Sequence, residues 1–372
     1  MERKWFILGF MLSLGLVFFS WPGAQTAQAS CGSVTCFVVI GSAQQVSPEG
    51  LLTVNTFYNF TPQNILAPGT TGVIPGVNVA NRQMILDHHR ELTTFSQMVT
   101  LDLNYGISDR LGIEVAIPYK QIKHRHIDGL GEDNGGAGTP ERFTDRGIGD
   151  IFVNMKYNIL PTLSSMVVTG FGVYLPTGEN KTADPAGGVF EPTAQLGRGQ
   201  IGLQGSTYAT YELIPHRLNQ FATASYRHTF RNNFGYQFGD QFDLNTGFNL
   251  VTVPWLVLTT QVNYRYMVHD SCKCSLARSQ TPSDATFPGE AIVVDPNITN
   301  RPVPTTGSTY LAVTPGFSLN VGLLTDQAWA QTMQVYFFSQ IPVQRDFNGN
   351  LMQGVSYVAG ITKYFSLPTT KS

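Results

Sequence analysis

Charge is scarce in this 372-residue chain: Asp, Glu, Lys and Arg together make up 13%, about half of the roughly 25% usual in soluble domains. The formal net charge is -2, so there is no electrostatic footprint for nucleic acid and none is expected as a partner. Long apolar runs are missing too. Downstream of residue 29 none approaches the roughly 20 residues that a membrane-spanning helix needs, which excludes a helical membrane protein. Phosphate-cradling glycine motifs, metalloprotease histidine pairs and haem-attachment Cys-x-x-Cys-His are all absent from the sequence. The four cysteines are too few to form a disulfide framework. What is abundant is glycine (37 residues), aromatics (12%) and hydrophobic residues (42%). That is enough apolar surface to exclude disorder, and it points to a β protein with an unusually apolar exterior.

The N-terminus reads as an address. Glu2, Arg3 and Lys4 precede an apolar run from Trp5 to Trp21, then Ala27-Gln28-Ala29. These are the three parts of a secretory signal peptide. Residues 1–29 are therefore expected to be removed on export to the outer membrane of a Gram-negative cell. Gln28 stands where a lipobox wants an aliphatic residue, so Cys31 is not read as a lipid anchor.

The remainder alternates. Around 147–160, Ile151, Val153, Met155, Tyr157 and Ile159 share one face while Asp150, Asn154, Lys156 and Asn158 share the other, with Phe152 out of pattern. Comparable runs near 51–60, 93–106, 110–126, 165–177, 199–212, 217–230, 240–250, 255–266, 310–321, 328–342 and 351–365 make twelve strands. Period-two alternation over about ten residues is the mark of a lipid-facing strand. Tight turns near 108–109, 161–162, 215–216, 252–253 and 325–326 alternate with longer polar loops near 62–90, 127–146, 178–196, 231–239, 269–306 and 344–350. The predicted fold is all-β: an antiparallel transmembrane β-barrel of twelve strands, with short periplasmic turns and long extracellular loops. The expected organisation is a signal peptide (1–29), a periplasmic segment that could plug the barrel (30–50), the barrel (51–366) and a tail (367–372).

If the apolar positions face lipid, their polar alternates face a lumen. The predicted pore-lining residues are Asp102, Glu114, Lys120, Asp150, Asn154, Lys156, Arg227, Asp243, Gln261, Asn263 and Arg265, with Asn104, Gln204 and Asn245 on the same face. Both signs are present, so strong ion selectivity is not expected. A constant index sum of 270 between strands 110–126 and 147–160 would set Glu114 opposite Lys156 and Lys120 opposite Asp150, a charged ladder.

His88, His89, His124 and His126 are candidates for a transition metal, but their spacing matches no defined site and they are read as solvated rim histidines. No metal and no cofactor is expected. Cys31 with Cys36 and Cys272 with Cys274 could each close a local disulfide, and Cys272-Lys273-Cys274 beside His269 also admits a soft-metal site. No enzyme is expected, because the nearest hydrolase pair, Ser225 and His228, falls on opposite strand faces.

Several short stretches carry a family resemblance: 105–110 (YGISDR), 116–119 (AIPY), 147–150 (GIGD) and 175–178 (LPTG). Together they resemble the outer-membrane transporters grouped under the meta-pathway of phenol degradation. That resemblance implies a barrel carrying aromatic or other small hydrophobic compounds, and it brings no catalytic residues. The functional expectation is a monomeric channel for passive passage of small solutes, with membrane lipid and the solute as its partners. Two other readings are a closed barrel serving as a scaffold or surface-binding module, and the barrel partner of an export or electron-transfer complex.

Overall fold

A computed structural model describes residue 38 and residues 44–367, apart from 69–71, 79–81, 129–137, 163, 184–188, 278–300 and 349. The expected signal peptide, Cys31 and Cys36 lie outside the described residues.

Twelve strands form one wall: β1 (Leu51–Leu66), β2 (Gln83–Gly106), β3 (Leu111–Asp128), β4 in two pieces (Thr139–Ile148 and Ile151–Asn158), β5 (Ser165–Leu175), β6 (Gly202–Ile214), β7 (Leu218–Thr229), β8 (Gln241–Val253), β9 (Leu256–Met267), β10 (Ser308–Asn320), β11 (Met333–Asp346) and β12 (Ser356–Ser366). Each pairs antiparallel with its sequence neighbours, and β1 pairs with β12 from Leu51↔Ser366 to Phe60↔Tyr357. The sheet is thereby closed with no free edge, the condition a sheet must meet in lipid, where unpaired backbone groups find no partners. The all-β, twelve-stranded antiparallel barrel read from the alternation is the fold found.

Strand parity sorts the side chains as the lipid argument requires. On β2, Asp102 and Asn104 point inward and are buried, whereas Val99 and Leu101 point outward and are exposed. On β9, Gln261 and Asn263 are buried, with Leu258 and Val262 outside. Met155 and Phe171, register partners on β4 and β5, are among the most exposed apolar side chains. Trp255 and Trp329 stand exposed near the short-turn end, and Tyr119 and Tyr226 toward the long-loop end. This is the aromatic banding that membrane barrels place at the two interfaces.

Three strands are longer than alternation suggests. β2 begins at Gln83 instead of 93, β4 at Thr139 instead of 147, and β1 runs on to Leu66. The first piece of β4 alternates exposed and half-buried residues and carries Glu141, Arg142, Asp145 and Arg146. Such a strand projects beyond the lipid, where both faces tolerate polar groups, so no hydrophobic period marks it.

The expected register between β3 and β4 is corrected. Glu114 opposes Asn154 and Gly112 opposes Lys156, an index sum of 268. Beyond the break at Gly149 and Asp150 the sum falls to 267, with Lys120 opposite Gly147. A bulge of this kind inserts a residue and re-aims its side chain. The Glu114–Lys156 pair still forms, diagonally, at 2.8 Å. The Lys120–Asp150 rung does not, because the bulge carries Asp150 three positions out of register.

Both ends are furnished. At the short-turn end Val46 packs on Val168, Tyr208 and Phe221, and Val38 on Tyr336, Phe338 and Val358. Gly106 admits this chain closely: a Cβ there would collide with the carbonyls of Ser47 and Pro48. At the long-loop end, Tyr236–Gln237, Ser271–Cys272 and Arg301–Pro302 make a small sheet, and Ser275–Ala277 lies parallel to the start of β2. Val77, Met84, Tyr236, Phe238, Cys272, Cys274 and Val303 form a buried core beneath it. Cys272 and Cys274 are joined by a disulfide. Residues 271–277 and Val303 thus pack against Val77 and the start of β2 as a cap.

Candidate functional site

The lumen is stratified. Nearest the short-turn end its wall is a hydrogen-bonded network. Lys156 Nζ reaches Glu114 at 2.8 Å and donates to Asn104 Oδ1 at 2.5 Å. Asn104 Nδ2 donates to Asp102 at 2.9 Å, and Asn154 Nδ2 to Glu114 at 3.0 Å. Across the β1–β12 seam, Tyr336 and Thr362 hydroxyls donate to Asn55 Oδ1 at 2.7 and 3.1 Å. On the opposite wall Asn263 donates to Asn245 and Gln261, and accepts from Thr314. Asp102, Glu114, Asn154, Lys156, Gln261 and Asn263, all predicted to line a pore, are placed here. They lie on inward faces but are committed to one another, not to open space.

At mid-height lies a cavity of about 350 Å³. Five of the predicted residues border it: Lys120, Asp150, Arg227, Asp243 and Arg265. Asp243 and Arg265 are register partners on β8 and β9, bonded at 2.7 Å. Arg227 is different. Its guanidinium sits 3.6 Å from the centre of the Tyr174 ring, and its Nε is buried with no hydrogen-bond partner.

The rest of this layer comes from a segment that alternation cannot reveal. Between β5 and β6 the chain folds inward, and Pro192, Thr193, Gln195, Leu196, Gly197 and Arg198 border the cavity. Lys120 Nζ donates to Leu196 O at 2.9 Å. Asp150, turned inward by the β4 bulge, accepts from the backbone of Gly178 at 3.2 Å and of Arg198 at 2.9 Å. The pinning is tight, since a Cβ on Gly197 would stand 2.7 Å from Asp150 Oδ1. Arg198 then donates to Thr229 at 2.9 Å and lies 4.7 Å from the Phe238 ring centre. Phe152 stacks on Tyr174 at 4.4 Å inside the lumen. Its break in the β4 pattern was the one available sign of an aromatic lining.

The charge of this layer is not balanced. Lys120, Arg198, Arg227 and Arg265 face Asp150 and Asp243, four cations against two anions, an excess of two. The mixed signs of the whole inward set do not describe the cavity, because the inward loop adds Arg198 and the acidic partners Asp102 and Glu114 lie in the other layer.

Above it, the expected solvated rim histidines are found elsewhere. His88 and His89 lie on β2, not in a loop. His89, His124 and His126 are buried, 1%, 5% and 7% exposed, because β2 and β3 continue upward behind the inward loop.

Residues 91–265 match the family described as "Putative MetA-pathway of phenol degradation". The family resemblance read from the turn motifs holds. No curated protein sequence matches the chain. Among solved structures, an outer membrane channel from Pseudomonas putida F1 superposes with a TM-score of 0.54 at 11% identity, over 88% of this chain and 100% of that one. That likeness shows a shared barrel fold. A TodX monoaromatic hydrocarbon channel (TM-score 0.44, 10% identity, 86% and 90% covered) and the NanC porin (0.38, 9%, 84% and 98%) overlay too loosely to inform it.

Proposed function

We propose that this barrel is an outer-membrane channel for passive diffusion of small solutes of about single-ring size, with a preference for those bearing negative charge. The carrying observation is the mid-height cavity. Its volume of about 350 Å³ falls at the small end of the roughly 300–1,000 Å³ usual for small-molecule sites. Phe152, Tyr174 and Phe238 give its wall an aromatic surface, and the cationic excess favours a carboxylate or phenolate. The match to a family named for phenol degradation accords with an aromatic cargo. In this reading the long-loop end faces outward, and Val38 and Val46 pack inside the barrel from the periplasmic side. Transport is downhill, since the sequence carries no nucleotide motif.

Single-channel recording in a planar bilayer tests this reading. Discrete steps are expected, with anion preference and with larger steps after deletion of residues 30–48. Benzoate should shorten the open dwell times. A silent bilayer from a barrel that migrates as folded on unheated gels would favour the closed scaffold instead.

A further inference from the structure

The histidine layer holds a second site. Past a bulge between Glu91 and Thr93, β2 turns His89 and Glu91 inward, and β3 presents His124 and His126 beside them in register. His89 Nε2 lies 3.0 Å from Glu91 Oε1, and His124 Nδ1 lies 3.5 Å from Glu91 Oε2. One ligand atom from each of His89, Glu91 and His124 falls within 4.8 Å of the others. All three side chains are buried, Glu91 to 1% exposure. The ring centre of His126 is 4.8 Å from that of His89 and 4.9 Å from that of His124, so a further nitrogen stands beside the group.

Two imidazoles and a carboxylate with a fourth position open form a donor set for a borderline divalent ion, zinc above all. The surroundings complete the pattern. Metal-bound histidines commonly give their other N–H to a carboxylate, which fixes the tautomer. His89 does this here: with Nε2 aimed at Glu91, its Nδ1 is 3.1 Å from Glu191 Oε1. Thr94 Oγ1, 2.8 Å from His124 Nδ1, holds that nitrogen of the second ring and leaves its Nε2 as the ligand atom. Glu191 belongs to the inward loop and immediately precedes its turn at Pro192–Ala194. We infer that His89, Glu91 and His124 bind one divalent transition-metal ion of the zinc type, and that the bound ion, through His89 and Glu191, fastens the inward loop to the barrel wall. A cation on Nε2 makes the Nδ1 proton more acidic and so strengthens its bond to the Glu191 carboxylate.

Calorimetric titration of the tag-free, folded barrel in detergent with Zn²⁺ tests the site, read alongside the visible spectrum of the Co²⁺ form. One ion per chain is expected, with the strong absorption of a low-coordinate Co²⁺ centre. Glu91→Gln and His124→Asn should each weaken binding by about 100-fold or more, and Glu191→Gln, which removes an orienting carboxylate, by about 10-fold. His216→Gln, at an exposed turn, should change nothing. Zn²⁺ should slow amide exchange of residues 190–198 in the wild type and lose that effect in the Glu191→Gln protein. Gel migration identifies any variant that fails to fold, and the remaining ligand variant then decides. The inference is overturned if the wild type takes up no Zn²⁺, if the folded ligand variants bind as it does, or if excess Mg²⁺ displaces Zn²⁺.

Discussion

Arg227 is the residue on which the proposed anion preference turns. Four cations and two anions border the cavity, an excess of two. Arg227→Gln leaves three against two, an excess of one, and Arg227→Glu leaves three against three. A monovalent ion about 6 Å from one such charge is stabilised by about 2.8 kcal/mol at an effective dielectric of 20 and by about 0.7 kcal/mol at 80. At RT near 0.59 kcal/mol this is a factor of roughly 3 to 100 for the anion alone, and because the same charge repels a cation equally, about 10 to 10⁴ in anion-over-cation permeability for each charge removed. The assay is the reversal potential under a KCl gradient. The wild type should reverse toward the chloride potential, Arg227→Gln should move toward zero, and Arg227→Glu should lie at or beyond zero.

Salt gives an internal control. Because the Debye length is about 10 Å at 0.1 M and about 3 Å at 1 M, the difference between proteins should shrink as ionic strength rises. The substitution also removes a contact, since the guanidinium covers the Tyr174 ring at 3.6 Å. Arg227→Lys keeps the charge while giving up most of that stacking. If Arg227→Lys and Arg227→Gln shift the reversal potential alike, charge is not the cause. If Arg227→Glu leaves it unchanged, the ion path avoids the cavity and the electrostatic argument is refuted.

Three further outcomes follow from other layers. Phe171→Arg, on the lipid face opposite Met155, should destabilise the barrel by about 2–4 kcal/mol near the bilayer midplane; an unchanged urea midpoint in lipid vesicles would refute the assignment of that face. Asp243→Asn strips Arg265 of its 2.7 Å partner and should cost about 3 kcal/mol, the lower end for a broken buried pair because the cavity admits water, read in the same unfolding assay. In the cap, Asp270 accepts from Tyr236 Oη at 2.5 Å and from Gly239 N at 2.7 Å, and burial holds its carboxyl above the usual carboxylate range. A folded-state value above the unfolded one means that the cap binds the proton more tightly than its opened form, so its stability should fall as pH rises from the unfolded carboxylate value to the higher folded one. Hydrogen exchange at 236–239 should speed up across that window, and in Asp270→Asn the exchange should lose this pH dependence.

How far the sequence discloses this molecule depends on which solvent each segment meets. Val99 and Leu101 face lipid while Asp102 and Asn104 face inward. That contrast imposes a period of two, so strand number, parity and the inward set were legible. At Glu141 to Arg146 both faces are polar, and the strand shed its signature. Register is harder still. Glu114 and Lys156 attract each other, but side-chain attraction did not foretell the bulge at Gly149 and Asp150, which rests on backbone geometry and on the loop amides that Asp150 receives. Arg198 stayed hidden because its partners, Thr229 and Phe238, are distant in sequence. The sequence around His89 and His124 suggests a wet rim, since nothing local says that a loop will fold down in front of them.

The layered lumen separates what holds the barrel together from what it does. Closure from β1 to β12 pairs the backbone within the wall, and the outer apolar faces match the lipid, so the cavity side chains are not required for the barrel to form. For Arg227 the buried Nε without a hydrogen-bond partner offsets the contact its guanidinium makes with the Tyr174 ring. The exceptions are the Asp243–Arg265 pair, bonded at 2.7 Å within the wall, and Asp150, which accepts from two backbone N–H groups and so holds the inward loop. Replacing Arg227 should therefore alter permeation and leave unfolding nearly unchanged. Replacing Asp150 with Ala should instead free the loop, widen the cavity and raise conductance while also discharging the histidine layer's contact to Glu191. A barrel in which Asp150→Ala changes neither conductance nor amide exchange at 190–198 would show that the loop is held by its own turns and not by the wall.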